Sequence, residues 1–561
     1  MQLLLLFFLA GCSVRAPQAL KDNSRPSASD EIIIVATGDV HAALDHAEGL
    51  ASIIRKLRRQ YGDRMVYLDA GDQFQGSLEG NMSKGKSVVE FFNQLRPDAA
   101  AIGNHELDFG PDVPGRIKVL PGEDGLGNLK ARVQEAEYPW LSANFVVDPP
   151  VECKPGSSCN ALGQTTVFAP RTVVSHGENR TCVIGATTTS AANITRPAFV
   201  QGTRFVDLAG LVEAEATWMR KNERCDSVVL LVHEGLRYGE DGKTLLNYGL
   251  QPVLEQLPAN TVDAVVGGHT HIVAQEVIRG TPVLITGKSA RYVGVLHLSG
   301  TGRKKEFRFE PVLPVPQRAS EPDITTLLKP YRTQARTFKM KPIGKSSALF
   351  PLEKERESAL GNLIADAVQK AGHDVDGAQF SLMNAGGMRS SLPGGRLRYD
   401  HVYRLMPFDN CLVIAQLTGK ELRRLLEVAF SGGEGIPAVS GLRIRRLDVP
   451  AGQPGPWDRD LNQDGQKESW ERNVVLDVQD QNGAPLEDDR IYKIATNDFL
   501  VSGGDYQGIV YSQIPETRIH YYQEISIRDI ILDYLIRKSV VSPSDYFSEL
   551  NRRMEIIPPQ E

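Results

Sequence analysis

Five glycine-flanked clusters of Asp, Asn and His recur along this chain, each at the end of a short apolar run. Together they could hold divalent cations. Ile32-Ile33-Ile34-Val35-Ala36 leads into Thr37-Gly38-Asp39-Val40-His41. Val66-Tyr67-Leu68-Asp69-Ala70 leads into Gly71-Asp72, and Ala99-Ala100-Ala101-Ile102 into Gly103-Asn104-His105-Glu106-Leu107-Asp108. Val228-Val229-Leu230-Leu231-Val232 leads into His233-Glu234-Gly235, and Val262-Asp263-Ala264-Val265-Val266 into Gly267-Gly268-His269-Thr270-His271. Oxygen and imidazole donors without thiolates suit divalent transition metals such as zinc, manganese, cobalt or iron. Two such ions about 3.5–4 Å apart, bridged by a carboxylate, clamp the attacking and leaving oxygens of phosphoryl transfer. One such cluster would pass for an ordinary turn, where Asp, Asn and Gly abound. Five in succession would not.

The apolar runs read as buried strands. Alternate residues of an extended chain point the same way, so Asp39 and His41 are expected on one ion. In open α/β sheets ligands bind outside the carboxyl ends of strands, so the five ends are expected to converge on one crevice. Residues 47–61 set Leu50, Ile53, Ile54 and Leu57 on one side with basic residues opposite, a helical pattern. Residues 87–95 and 208–221 read the same way. Strands alternating with helices predict a layered, mixed α/β domain ending near Pro311. The proline-rich stretch 311–316 marks a boundary, residues 324–341 read as a polar linker helix, and a second α/β domain starts at Gly344.

Gly-Asp39-x-His41, Gly-Asp72, Gly-Asn104-His105-Glu106, His233 and Gly-His269-x-His271 resemble the calcineurin-like metallophosphoesterase signature. The fuller form Gly103-Asn104-His105-Glu106-Leu107-Asp108-Phe109-Gly110 resembles the 5′-nucleotidase family, over nearly the whole chain after residue 30. The resemblance implies a metallophosphoesterase β-sandwich flanked by helices over 31–311, a linker with a helix over 312–343, and a smaller C-terminal α/β substrate-binding domain over 344–561. By the family's pattern Asp72 bridges two ions. Asp39, His41 and His271 complete one, and Asn104, His233 and His269 the other. In the family His105 binds no metal; oriented by Asp108, it lies beside the reacting phosphoryl group and stabilises negative charge there.

In the second domain Arg356 and Arg389 match the family's substrate-binding arginines, and Asn384, Phe408, Phe499 and Asp505 its nucleoside pocket. Asn384-Ala385-Gly386-Gly387 is a loop that lets backbone approach a ligand, and two aromatic side chains can sandwich a base. Three positions depart from the family: Gly38 replaces an Asn, His271 stands where Gln or Asn also occur, and Ala385 replaces a common Gly. The first removes a hydrogen bond, the second strengthens metal binding, and the third makes the loop less open. The implied activity is hydrolysis of nucleoside 5′-monophosphates. Family alternatives with the same metals are 2′,3′-cyclic nucleotide phosphodiesterase, UDP-sugar hydrolase and a thiosulfohydrolase branch that should not need the Phe pair. A nonenzymatic nucleotide-binding surface protein would tolerate loss of His105 or Asp108, and both are present.

A chain of 561 residues exceeds one hydrophobic core. Its 24% charged and 41% hydrophobic content is ordinary for a globular protein, and a net charge of −6 argues against DNA or RNA duplexes as partners. No protein partner is evident. The apolar stretch 3–10 is too short to span a bilayer, and Leu9-Ala10-Gly11-Cys12 resembles the lipobox of bacterial lipoproteins. Residues 1–12 are thus expected to be a signal with lipidation at Cys12, and 13–30 a tether. The protein would be exported and lipid-anchored, periplasmic or at the cell surface. Export permits disulfides: Cys153 with Cys159 around a turn-rich loop, and Cys182 with Cys225 at the starts of neighbouring strands. Cys411 is left as a buried thiol. Finally, residues 460–471 fit a calcium loop, Asp-x-Asn-x-Asp-Gly with Glu at the twelfth place. Asp460, Asn462, Asp464, Glu468, Glu471 and the backbone carbonyl of Gln466 are its expected oxygen ligands.

Overall fold

The computed structural model describes residues 31–559 except 114–118, 155, 177–178, 239–241, 301–304, 432–434, 450–454, 468–469 and 550. Cys12, the 13–30 stretch and Glu468 therefore lie outside the described residues.

The apolar runs form two sheets packed face to face, the sandwich expected from the sequence. In the first, Ile32–Thr37 runs parallel to Met65–Asp69, which runs parallel to Ala99–Ala101. In the second, Ser227–His233 runs parallel to both Ala264–Gly267 and Asn179–Thr187. Ile32, Ile34, Val66 and Leu68 of one sheet meet Val229, Leu231, Val266 and Leu284 of the other in a closed core. The outer faces carry helices. Ala47–Tyr61 and Lys86–Leu95 cover the first sheet through Leu50, Ile54, Val88 and Phe92. Leu208–Asn222 and Leu250–Gln256 cover the second through Leu211, Val212, Met219 and Leu254. Burial on both faces is why these strands read as unbroken apolar runs. Each fully buried Ile, Leu or Val there contributes roughly 1.5–3 kcal/mol.

The stretch expected as a linker is packed into the first body. Leu313–Pro314 pairs antiparallel with Tyr292 and Val293, an edge position that proline tolerates because it need not donate. The helix Pro322–Lys339 sinks Ile324 and Leu328 into the core of the first helical layer. Arg332 pairs with Glu48 at 2.6 Å, and Arg55 with Glu321 and Asp323.

From Pro342–Ser346 onward a second body forms around a five-stranded sheet in the order Ala438–Ser440, Phe380–Met383, Ile491–Asn497, Cys411–Thr418, Ile519–Ser526. Helices Ala359–Asp376 and Ile527–Lys538 cover one face. Gly419–Ser431 and a small sheet containing Leu442–Leu447 cover the other. The two bodies touch where Tyr403 packs on Leu78 and Ala335, where Arg404 pairs with Asp45 at 2.6 Å, and where Arg196 donates to Asn410 Oδ1 at 2.8 Å. No helix among the described residues is long and apolar enough to cross a membrane.

Candidate active site

The carboxyl ends of both sheets open on one rim, and the seven side chains expected to bind metal meet there. Asp39, His41, Asp72 and His271 each offer an atom within 4.8 Å of the others. His41 Nε2 lies 2.9 Å from His271 Nε2 and 3.8 Å from Asp72 Oδ2. His233 Nε2 approaches that same Asp72 oxygen at 3.2 Å and Asn104 Oδ1 at 3.1 Å. His269 Nδ1 stands 3.0 Å from Asn104 Oδ1. Asp72 Oδ2 thus faces imidazoles from both sheets.

This convergence rests on tight backbone. Asp39, His41, Asp72, His269 and His271 all have φ between 49° and 70°. Non-glycine residues held in this region cost on the order of 1–3 kcal/mol each and persist only where their surroundings impose it. The Asp39–His41 segment is therefore not extended, and alternation is not what brings its ligands together. Instead Asp39 N and His41 N donate to Gly71 O and Asp72 O, each at 2.9 Å, laying two ligand loops side by side. At Gly103 a Cβ would stand 2.3 Å from Asp72 Oδ1, so only glycine allows this approach. The expected ligand set gives no part to Glu106, although it stands inside the Gly-Asn-His-Glu motif. Buried, it accepts from Asp72 N at 2.9 Å, Gly103 N at 2.7 Å and Phe74 N at 3.0 Å, tying the loops together.

The donor set fits divalent cations. His233 Nδ1 and His41 Nδ1 face the carbonyls of Ala70 and Gln75 at 2.8 and 3.2 Å, which turns Nε2 of each ring toward the cluster. Burial holds His41 and His271 well below the usual imidazole value, so they are neutral, as ligands must be. Burial pushes Asp39 up to about 8. Burial also resists charge on Asp72, yet His233 and His105 hold its carboxyl well below the carboxylate range. Burial likewise opposes a charged His233, but Asp72 and then Asp39 push it up to about 10. Buried carboxylates facing imidazoles from both sheets favour positive charge at this point, which divalent cations would supply.

One cavity of about 470 Å³ joins this cluster to the second body. Asp72, Asn104, His105, Asp108, His269 and His271 line it on one side, and Asn384, Arg389, Phe408, Phe499 and Asp505 on the other. His105 Nδ1 is 2.6 Å from Asp108 Oδ2, and Arg389 Nη2 donates to His105 Nε2 at 3.2 Å. Phe408 stacks on the His105 ring, with centroids 5.8 Å apart and planes at 27°. The Phe499 ring lies against Gly504, where a Cβ would be 2.4 Å away. Asn497 Nδ2 donates to Asn384 Oδ1 at 3.2 Å and steadies it.

Two expectations need correction. Arg356 does not line the cavity: its side chain is 69% exposed and pairs with Glu353 at 2.6 Å, a nearer anion for a long side chain on a surface turn. Ala385 does not narrow the loop, because its methyl is buried in the core of the second body while Gly386 and Gly387 border the cavity. Gly38 has a local reason, since a Cβ there would stand 2.9 Å from Ala70 Cβ.

Cys153 bonds to Cys159 and Cys182 to Cys225, with Cα atoms 6.1 and 5.7 Å apart. Cys411 is half-buried rather than fully buried, and burial with Asp498 nearby pushes its thiol up to about 12. In the 460–471 loop the carboxylates face backbone amides. Asp460 accepts from Asp464 N at 3.1 Å and Gly465 N at 2.9 Å, and Asp464 from Gln466 N at 2.8 Å. Asn462 Oδ1 accepts from Asp464 N at 2.9 Å, and buried Glu471 from Leu461 N and Asn462 N at 2.8 Å each. Asp460, Asp464 and Glu471 do not place three ligand atoms within 4.8 Å of one another. Trp470, which no motif flagged, stacks on Tyr506 with centroids 4.0 Å apart, bracing the segment that carries Asp505.

Residues 32–273 match the calcineurin-like phosphoesterase family, and residues 342–511 the 5′-nucleotidase C-terminal domain. The human 5′-nucleotidase is 24% identical across 92% of this chain and 90% of its own length. The trifunctional nucleotide phosphoesterase protein YfkN of Bacillus subtilis is 25% identical over 85% of this chain, which spans 32% of that longer protein. The crystal structure of a 5′-nucleotidase precursor from Thermus thermophilus shares the fold with a TM-score of 0.75 and 24% identity, over 94% of this chain and 99% of that one.

Proposed function

The chain belongs to the 5′-nucleotidase family of metallophosphoesterases, and we propose that it releases phosphate from nucleoside 5′-monophosphates with two divalent ions. The observation that carries this reading is the single cavity in which the Asp/His cluster, His105 and both Phe side chains share one space. Asp39, His41 and His271 would hold one ion, Asn104, His233 and His269 the other, with Asp72 between them. Bound there, the ions supply Lewis-acid activation of water and of the phosphoryl group.

The chain's own residues do the rest. Phe408 and Phe499 offer apolar faces to the base, and Asn384 and Asp505 the few polar groups that fix a ligand's orientation. The phosphoryl group would enter between Arg389 Nη2 and His105 Nε2, parting their 3.2 Å contact and taking a hydrogen bond from each. Asp108 keeps the His105 ring from turning. Charge growing on the phosphoryl oxygens then meets donors already aimed at it. With manganese added, purified protein is expected to show higher kcat/KM for 5′-AMP than for 2′,3′-cyclic AMP or a UDP-sugar. A reversed order would replace the substrate assignment, and no hydrolysis of any would overturn the reading.

Calcium in the 460–471 loop is a separate proposal, supported by the loop's pattern and by Gly465 at φ 87°. Calcium is expected to raise the melting temperature of the wild type by a few degrees, at roughly 2–4 °C per kcal/mol of binding linkage for a folding unit the size of the second body. Asp460→Ala should lose that increment and keep its manganese-dependent activity. Equal calcium stabilisation in both would place the ion elsewhere.

A further inference from the structure

One cation in the cavity is accounted for neither by the metal cluster nor by the family pattern. Lys288 lines the cavity beside His271 and Arg389. Its half-buried side chain has no hydrogen-bond or ion-pair partner among the described residues. The backbone holds it there firmly. Gly287 N donates to Ile272 O at 2.8 Å, next to His271, and Ser289 N donates to Asp39 O at 2.7 Å. Gly287, Ser289 and Ala290 have φ of 75°, 57° and 52°, a run that residues bearing a Cβ seldom adopt. Lys288 is thus carried on a tight bridge between the loops that bear Asp39 and His271.

Burial, together with Arg389 and Arg291, lowers the Lys288 ammonium from the usual lysine value, and the attraction of Asp39 offsets only part of this. A part-buried charge beside a second cation is costly unless an anion lies with them. Other cations at the cavity are already engaged. Arg196 bonds to Asn410 at 2.8 Å and pairs with Asp498 at 3.2 Å, and the Arg237 guanidinium sits 4.0 Å from the Tyr248 ring centre. Lys288 is left facing the cavity, and its cationic neighbour Arg389, which donates to His105 Nε2 at 3.2 Å, pairs with no carboxylate among the described residues.

We infer that Lys288 and Arg389 bracket the nonbridging oxygens of a phosphomonoester, and that Lys288 sets a preference for dianionic monoesters over monoanionic diesters. The inference rests on the proposed function in taking that anion to be the substrate. Near neutral pH a monoester carries a charge of about −1.5 to −2, whereas a diester has a single ionisable oxygen and carries one charge. An ammonium is a compact point charge on a flexible stem, so it responds to that difference rather than to ester geometry.

Lys288→Met keeps an unbranched stem one atom shorter and removes the charge. In the manganese-loaded enzyme its KM for 5′-AMP is expected to rise about 10-fold or more, the scale of one charged hydrogen bond. Turnover of bis(p-nitrophenyl) phosphate should stay within about twofold, so the monoester-to-diester ratio of kcat/KM falls about 10-fold or more. Lys288→Arg should restore most of the ratio. An unchanged ratio, or equal loss on both substrates, would overturn the inference. Calorimetric titration with inorganic phosphate separates it from the reading it rests on. Phosphate binding that weakens in Lys288→Met supports the anion site even if no nucleotide is hydrolysed. Equal phosphate binding in wild type and Lys288→Met would remove it whatever the enzyme hydrolyses.

Discussion

Asp72→Ala is expected to lower kcat/KM by more than about 10²-fold, the upper end for replacing a mere outer partner of a metal ligand. One carboxylate holds three things in place here. Its Oδ2 faces His233 at 3.2 Å and His41 at 3.8 Å, and its Oδ1 accepts the backbone N–H of His105 at 2.9 Å. Removing it separates the two ligand sets and loosens the loop that carries His105. Asp72→Asn distinguishes these effects, since the amide oxygen keeps the bond to His105 N but lacks the charge. Exhaustive chelation of the wild type should abolish hydrolysis, and Mn²⁺, Co²⁺ or Zn²⁺ should restore it while leaving Asp72→Ala inactive. Metal content measured beside activity decides the matter: full turnover in verified metal-free protein would sink the metal mechanism.

His105→Ala should lower kcat by about 10²–10³-fold, the usual cost of losing one pre-aimed donor to transition-state charge. KM should change far less, because in the proposed reading the base would be held by groups on the second body and the donor acts most strongly as charge develops. The geometry behind this is the 2.6 Å contact from His105 Nδ1 to Asp108, which leaves Nε2 directed at the cavity beside Arg389. An unchanged kcat would show that His105 is wall rather than catalyst.

Much of this site is legible in the amino-acid sequence alone. Metal ligation demands Asp, His and Asn, and the glycines that let such loops turn tightly stand beside them in the chain. Strands buried on both faces leave apolar runs that cannot be mistaken for surface, and helix periodicity marks residues 47–61 to the residue. The pairing of Cys182 with Cys225 is legible for the same reason, since each stands just before an apolar run that becomes one of two adjacent parallel strands.

Sequence patterns are local, however, and the remaining facts concern residues far apart in the chain. That three ligand-bearing strands belong to one sheet and two to another follows from which faces pack, with Ile34 and Leu231 in the same core. That Ile324 and Leu328 bury themselves in the first body, and so make a packed helix of an expected linker, is decided by the apolar surface waiting there. Arg356 and Lys288 exchange places with expectation for a related reason. A cation's partner is whichever anion or cavity the folded backbone brings within reach, and Glu353 reaches the first while strained turns deliver the second. Arg389 meets His105 across 284 residues, a distance in sequence that no periodicity spans and that only the closing of two cores on one cavity could remove.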